Sequence, residues 1–132
     1  MRILVVEDDY ISRTVLTRQM GKYGVCDVAV NGTEAVFAFE KAIDEDAPYN
    51  LICLDIMMPG IDGQEVLREI RKRELQLHRL DAVKIVMTTA LGDKDNIMKS
   101  FKNQCDGYLV KPITGEKLEA TMISLGFYPG SK

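Results

Sequence analysis

Four places in this 132-residue chain put a reactive side chain directly after a short apolar run. Glu7-Asp8-Asp9 follows Ile3-Leu4-Val5-Val6, Asp55 follows Leu51-Ile52-Cys53-Leu54, Thr88-Thr89 follows Lys84-Ile85-Val86-Met87, and Lys111-Pro112 follows Tyr108-Leu109-Val110. Gathered on one rim, those carboxylates facing a single lysine would carry excess negative charge, which raises pKa values or demands a cation. A hard divalent ion with oxygen ligands answers that demand. Magnesium fits better than calcium, because it is usually held by one or two carboxylates together with water and phosphate. Asp55 is the most telling residue: an acid that ends four apolar residues, ahead of Ile56-Met57-Met58 and the Pro59-Gly60 turn, needs a reason to be there. Each position also has a plain alternative. Asp55 could be a solvated strand-end acid or a turn cap, and Glu7-Asp8-Asp9 could simply meet a helix macrodipole. Thr88 and Thr89 could be β-branched strand termini, and Lys111 a surface lysine before a helix-breaking proline. For Asp8, capping combined with metal binding is the better reading.

The elements that must gather these residues are written as alternating periods. The four runs above, with Val25 to Val30, predict five strands, several apolar at consecutive positions as strands covered on both faces must be. Between them, helical spacing predicts inward faces at Ile11, Val15 and Met20; Ala35, Phe39, Ala42 and Ile43; Val66, Leu67 and Ile70; Ile97, Met98 and Phe101; and Leu118, Met122 and Leu125. Asp62-Gly63-Gln64-Glu65 predicts a capping box with Ile61 and Val66 as its staple, and Thr114 with Ile113 and Leu118 repeats the device before the fifth helix. Alternation of this kind predicts an α/β fold, a flavodoxin-like (βα)5 three-layer sandwich whose five-stranded parallel sheet has the order 2-1-3-4-5. The first and third strands are then neighbours at the switch point, and ligands bind outside their carboxyl ends.

The length suits a single domain, residues 1–132, with a core of about 1–126 and a short tail at 127–132. A hydrophobic content of 46% with 28% charged residues excludes disorder and low complexity. The net charge of −3 lacks the basic excess of a nucleic-acid binder, so no direct DNA binding is expected. Cys26, Cys53 and Cys105 are odd in number and have no CxxC or neighbouring His, which argues against a disulfide framework or a zinc site. There is no secretory apolar region and no run approaching the ~18 residues of a membrane span, so a cytoplasmic chain with reduced thiols and no membrane contact is expected.

In combination these segments resemble the receiver domains of two-component response regulators, typified by the single-domain chemotaxis regulator. The resemblance rests on ILVVEDD at 3–9, LDIMMPGIDG at 54–63, VMTTA at 86–90 and GYLVKP at 107–112, in the family's order and spacing. It implies a switch in which Asp55 accepts a phosphoryl group from a sensor histidine kinase or a phosphotransfer protein, with Mg2+ as cofactor. Asp8 matches the direct magnesium ligand, Glu7 its partner acting largely through water, and the backbone carbonyl of Met57 the third protein ligand. Thr89 matches the hydroxyl that moves to the phosphoryl group, Lys111 the lysine that pairs with its oxygens, and Tyr108 the aromatic that turns inward on activation. The Lys111-Pro112 bond matches one usually held cis. The resemblance further implies no activity on another substrate, only self-catalysed phosphorylation and dephosphorylation. Signalling would run through the face formed by helix four, strand five and helix five, including Lys99, Lys102, Tyr108 and Lys117, to a downstream target protein. A phosphorylation-dependent homodimer is compatible with it.

Two departures stand out. Met57 and Leu91, two residues beyond Asp55 and Thr89, flank the line of water attack on an acyl phosphate and cannot orient water, which predicts slow autodephosphorylation. The segment from Glu69 to Asp81 is long and basic, with Arg71, Lys72, Arg73, His78 and Arg79, and reads as a solvated helix end with His78 on the surface. Among rival readings, a flavodoxin-type electron carrier would need a Ser/Thr/Gly-rich phosphate loop where Glu7-Asp8-Asp9 stands. An aspartate-nucleophile phosphatase would need an acid where Met57 stands. A receiver-like module that is never phosphorylated stays open at this stage, although Asp8, Asp55, Thr89 and Lys111 together oppose it. Met1 directly before the first strand favours a natural start, and Phe127 to Lys132 after the fifth helix leave output to protein contact.

Overall fold

Strands that are apolar at every position belong where both faces are covered, and Ile3–Val6 and Leu51–Leu54 form the middle of a parallel sheet. The computed structural model describes residues 1–90 and 92–129. Along them run β1 (Arg2–Val6), α1 (Tyr10–Met20), β2 (Val25–Ala29), α2 (Gly32–Asp44), β3 (Leu51–Asp55), α3 (Gly63–Gln76), β4 (Lys84–Thr89), α4 (Lys94–Lys102), β5 (Gly107–Val110) and α5 (Gly115–Ser124). The strands lie in the order β2-β1-β3-β4-β5, as the pattern predicts. Side chains alternate across the sheet. Leu4, Val6, Ile52, Leu54, Ile85 and Met87 face α2 and α3, where Phe39, Val66, Leu67 and Ile70 complete one core. Ile3, Val5, Leu51, Cys53, Val86 and Leu109 face α1 and α5, where Leu16, Met20, Leu118 and Met122 complete the other. Burying each such large side chain stabilises the fold by about 1.5–3 kcal/mol.

Three expectations are corrected. On α1, Ile11 and Val15 are solvent-exposed, and Leu16 and Met20 face the core. On α4, Met98 and Phe101 are exposed and the one fully buried side chain is Ser100. A heptad-like count of apolar residues finds a stripe but cannot say whether that stripe meets the sheet. The end of α3 is not merely solvated. The Arg71 guanidinium is largely buried, donating to Glu74 (2.8 Å), Asp106 (2.9 Å) and the carbonyls of Val83 and Gln104 (both 2.9 Å). Glu74 in turn accepts from the Val83 N–H at 2.7 Å. His78 is on the surface, with a positive φ of 54° just after the helix.

The caps follow the sequence in part. Asp62 accepts from the Glu65 N–H and Thr114 from the Lys117 N–H, but the Glu65 carboxylate pairs with Arg68 instead of reaching back. At α1 the cap is Asp9, whose carboxylate accepts from the Ser12 N–H at 2.8 Å, which leaves Asp8 free of that duty. Beyond α5, Phe127 turns back to pack on the α1/α5 core, its N–H bonded to the Met122 carbonyl.

Candidate functional site

The register carries the reactive residues to one edge. Val6 lies opposite Leu54, Asp55 opposite Thr88, and Thr89 opposite Val110, so the residues that follow each strand emerge side by side. Gly63 sets how closely α3 approaches: a Cβ there would stand 2.3 Å from the Asp55 carbonyl oxygen. Only a residue without a side chain lets the helix start against that strand end, where the Gly63 N–H donates to the Ile56 carbonyl. The intervening turn uses Gly60 at φ 77°.

Glu7, Asp8 and Asp55 each offer a carboxylate oxygen, all within 4.8 Å of one another. Glu7 is 2% and Asp55 4% exposed, whereas Asp8 is open to solvent. Lys111 reaches across with Nζ 2.8 Å from Glu7 Oε1 and 3.4 Å from Asp55 Oδ2. Glu7, expected to act through water, here holds the tighter contact with the lysine and also accepts from the Asp9 N–H at 3.2 Å. Burial, a hydrogen bond to Glu7 and the charge of Glu7 push the Asp55 carboxyl up to about 7, against the opposing pull of Lys111 and the Met57 N–H. Burial also works against the Lys111 ammonium, but Glu7 and Asp55 outweigh it and hold the lysine above its usual range. Asp9 is lowered, chiefly by the N–H of Ser12 that it caps.

Of the other predicted residues, Met57 is in contact with this cluster. Met57 follows Asp55, its N–H donating to Asp55 Oδ1 at 3.2 Å while its side chain is exposed. Thr89 is buried, with Oγ1 in long contacts of 3.5 Å to the Ala90 carbonyl and to Asp93, turned to α4. Tyr108 stands apart, partly exposed and edge-on to Phe101 with ring centroids 5.9 Å apart. The Lys111-Pro112 peptide is cis. Leu91 lies outside the described residues. One contributor was not read from the sequence: Arg13 on the first turn of α1 donates to the Glu7 carbonyl at 2.9 Å and reaches the Asp8 carbonyl at 3.4 Å. An arginine on an otherwise half-exposed helix carries no signal of its own.

Three carboxylates thus cluster at the switch point, with a lysine across from them. The sequence matches the family model of the response regulator receiver domain over residues 3–123. The chain belongs to that family. Among relatives of this receiver domain, the transcriptional regulatory protein ResD of Bacillus subtilis is 39% identical over 86% of the chain and 42% of its own length. The osmosensing histidine protein kinase SLN1 of Saccharomyces cerevisiae is 31% identical over 100% of the chain and 11% of its own length. The receiver domain thus spans less than half the length of these curated relatives. Among solved structures, the receiver domain of Saccharomyces cerevisiae Ssk1, crystallised with the histidine phosphotransfer protein Ypd1, is 28% identical. It superimposes with a TM-score of 0.76 over 92% of this chain and 86% of that one. A chain of the CheX-CheY-BeF3-Mg2+ complex of Borrelia burgdorferi shares the fold with a TM-score of 0.82, over 96% of this chain and 89% of that one, at 23% identity. Among the described residues no helix is long and apolar enough to cross a membrane.

Proposed function

We propose that this receiver domain is a phosphoacceptor switch in which Asp55 takes a phosphoryl group from the phosphohistidine of a sensor kinase or phosphotransfer protein. The observation that carries the reading is a buried Asp55 at the carboxyl end of β3, with Glu7 and Asp8 within 4.8 Å and Lys111 at 3.4 Å. In the transfer an Asp55 carboxylate oxygen bonds to phosphorus as the phosphorus–nitrogen bond breaks, and the imidazole keeps the electron pair and takes a proton. The attack needs Asp55 ionised.

The donor set of clustered carboxylates with one lysine fits a hard divalent cation. Glu7, Asp8, Asp55 and the Met57 carbonyl are the groups that would hold Mg2+, which when bound neutralises the charge between attacking and phosphoryl oxygens. Lys111 supplies the fixed positive charge from the opposite side, and its pairing with Glu7 keeps it aimed into the site. Thr89 supplies a hydroxyl one strand away, able to turn from Asp93 to a phosphoryl oxygen. The exposed Met57 side chain offers no group to orient attacking water, so autodephosphorylation is slow; a half-life of seconds in the purified protein would refute this.

Output runs by protein contact through α4, β5 and α5, where Met98, Phe101, Tyr108 and Ile123 are exposed beside Lys99, Lys102 and Lys117. A target protein or a second, phosphorylated copy would dock there. No activity on another substrate is proposed, and the setting is cytoplasmic. The test is intact mass after incubation with acetyl phosphate and magnesium. The expected result is one phosphoryl adduct, dependent on magnesium and lost in Asp55→Ala. No adduct, together with no response to beryllofluoride by NMR, would leave a module that signals without phosphorylation.

A further inference from the structure

α4 differs from the other four helices in what holds it. Each of the others buries at least two residues, apolar ones among them, whereas α4 buries only Ser100. Its anchor is a side chain from another helix. Gln64, the second residue of α3 and 3% exposed, donates through Nε2 to the Asn96 carbonyl at 2.9 Å and to Ser100 Oγ at 2.8 Å. Its Oε1 accepts from Asn103 Nδ2, at the C-cap of α4, at 3.2 Å. One buried amide therefore spans α4 from its first turn to its end. Ser100 Oγ bonds back to the Asn96 carbonyl at 2.7 Å, closing the set. At the front of the helix, Asn96 Nδ2 donates to both carboxylate oxygens of Asp93, and Asp93 is the group that Thr89 Oγ1 faces at 3.5 Å. A continuous chain of polar contacts thus joins Thr89 on β4 to Gln64 on α3 by way of α4.

We infer that Gln64 is a positioning residue, a polar latch that holds α4 in the arrangement where Thr89 faces Asp93, and that loading the Asp55 site works against this latch. The inference rests on the phosphoacceptor reading for its second half only. When Thr89 turns to a phosphoryl oxygen it leaves Asp93, and α4 can follow only by breaking the bonds to Gln64. A buried amide that loses its partners is costly, so the latch favours the unloaded state. Apolar packing tolerates sliding, but hydrogen bonds are made or unmade, which gives the helix two discrete positions. A ligand that prefers one of two states binds more tightly when the other is weakened.

The experiment compares the native chain with Gln64→Leu, which keeps bulk and removes every bond of the amide, and with Ser100→Ala, which cuts the latch from the α4 side and suits a helix. Amide hydrogen exchange of residues 97–102 is read without ligand, and the apparent affinity for beryllofluoride is read by NMR in excess magnesium. The expected result is exchange in α4 accelerated at least about fivefold in both variants with the β1 and β3 amides unchanged, and beryllofluoride bound about fivefold more tightly. The double variant should exceed the stronger single one only slightly, because both cut one network. Unchanged α4 exchange in a folded Gln64→Leu protein, or beryllofluoride bound no more tightly, would overturn the latch. If the native chain ignores beryllofluoride altogether, the phosphoacceptor reading fails, and exchange in the unliganded proteins still decides whether Gln64 holds α4.

Discussion

At the scale of single residues, the site is arranged so that two groups carry opposite stability costs. Asp55 has a folded pKa of about 7, above the ~3.9 of an unfolded aspartate. Between those values the folded chain keeps a proton that the unfolded chain releases, so stability falls as pH rises from about 4 to 7, and the full penalty is present above 7. Replacing Asp55 by Asn removes the group that pays it. In EDTA, Asp55→Asn should raise the unfolding free energy by about 1–3 kcal/mol at pH 8 and leave it nearly unchanged at pH 4. Urea titrations at the two pH values check this; destabilisation at pH 8 would mean that the Lys111 contact outweighs burial. Lys111 works the other way. Lys111→Ala leaves the Glu7 carboxylate, 2% exposed, without its ion-pair partner. The cost should be about 2 kcal/mol at pH 7, below the 3–5 kcal/mol of a fully buried pair because the lysine is a third exposed. Saturation with magnesium should recover part of that loss in the same urea titration.

At the scale of elements, strand positions were legible and helix faces only partly so. Short runs of consecutive apolar residues bounded by turn signals fit a strand covered on both sides, and β1 and β3 contain those runs whole, each with one further residue, Arg2 and Asp55. Asp55, Asp8, Glu7 and Lys111 were legible for the same reason, because each had to stand at the end of such a run. Helix faces depend on what lies opposite, so Ile11 and Val15 looked inward by spacing yet are exposed beside the site. Arg71 and Glu74 were unreadable for a further reason: a basic helix end looks the same whether it faces water or a sheet, and only the fold brings Asp106 and Val83 to it. Their network ties the end of α3 to the starts of β4 and β5. Glu74→Ala should leave the Val83 N–H without a partner and take one of Arg71's two carboxylates away, Asp106 remaining, at a cost of about 1–3 kcal/mol in urea unfolding. Phosphorylation with acetyl phosphate should be unaffected, since that network lies at the opposite end of the sheet from Asp55. A loss of phosphorylation at full folding would show instead that the two ends are coupled.

At the scale of the whole molecule, the fold concentrates negative charge at one rim, which under the proposed function a bound cation would relieve. A ligand that binds only the folded chain adds stability that grows with the logarithm of its concentration over its dissociation constant, about 2.7 kcal/mol at a hundred times that constant. Magnesium should therefore raise the melting temperature, and the size of the rise should depend on pH. Glu7, Asp8 and Asp55 form the cluster, and Asp55 holds its proton up to about pH 7. The cation must displace that proton, so each unit of pH below 7 weakens binding up to about tenfold, and above 7 the competition ends. Thermal unfolding with and without saturating magnesium should show a clearly larger shift at pH 8 than at pH 6. In Asp55→Asn the shift should be small and nearly independent of pH, because the proton that competed is gone. Equal shifts at both pH values in the native chain would place the cation away from Asp55, on Asp8 and the solvent side of the cluster alone. The predicted chemistry would then lack the metal where the attacking oxygen is.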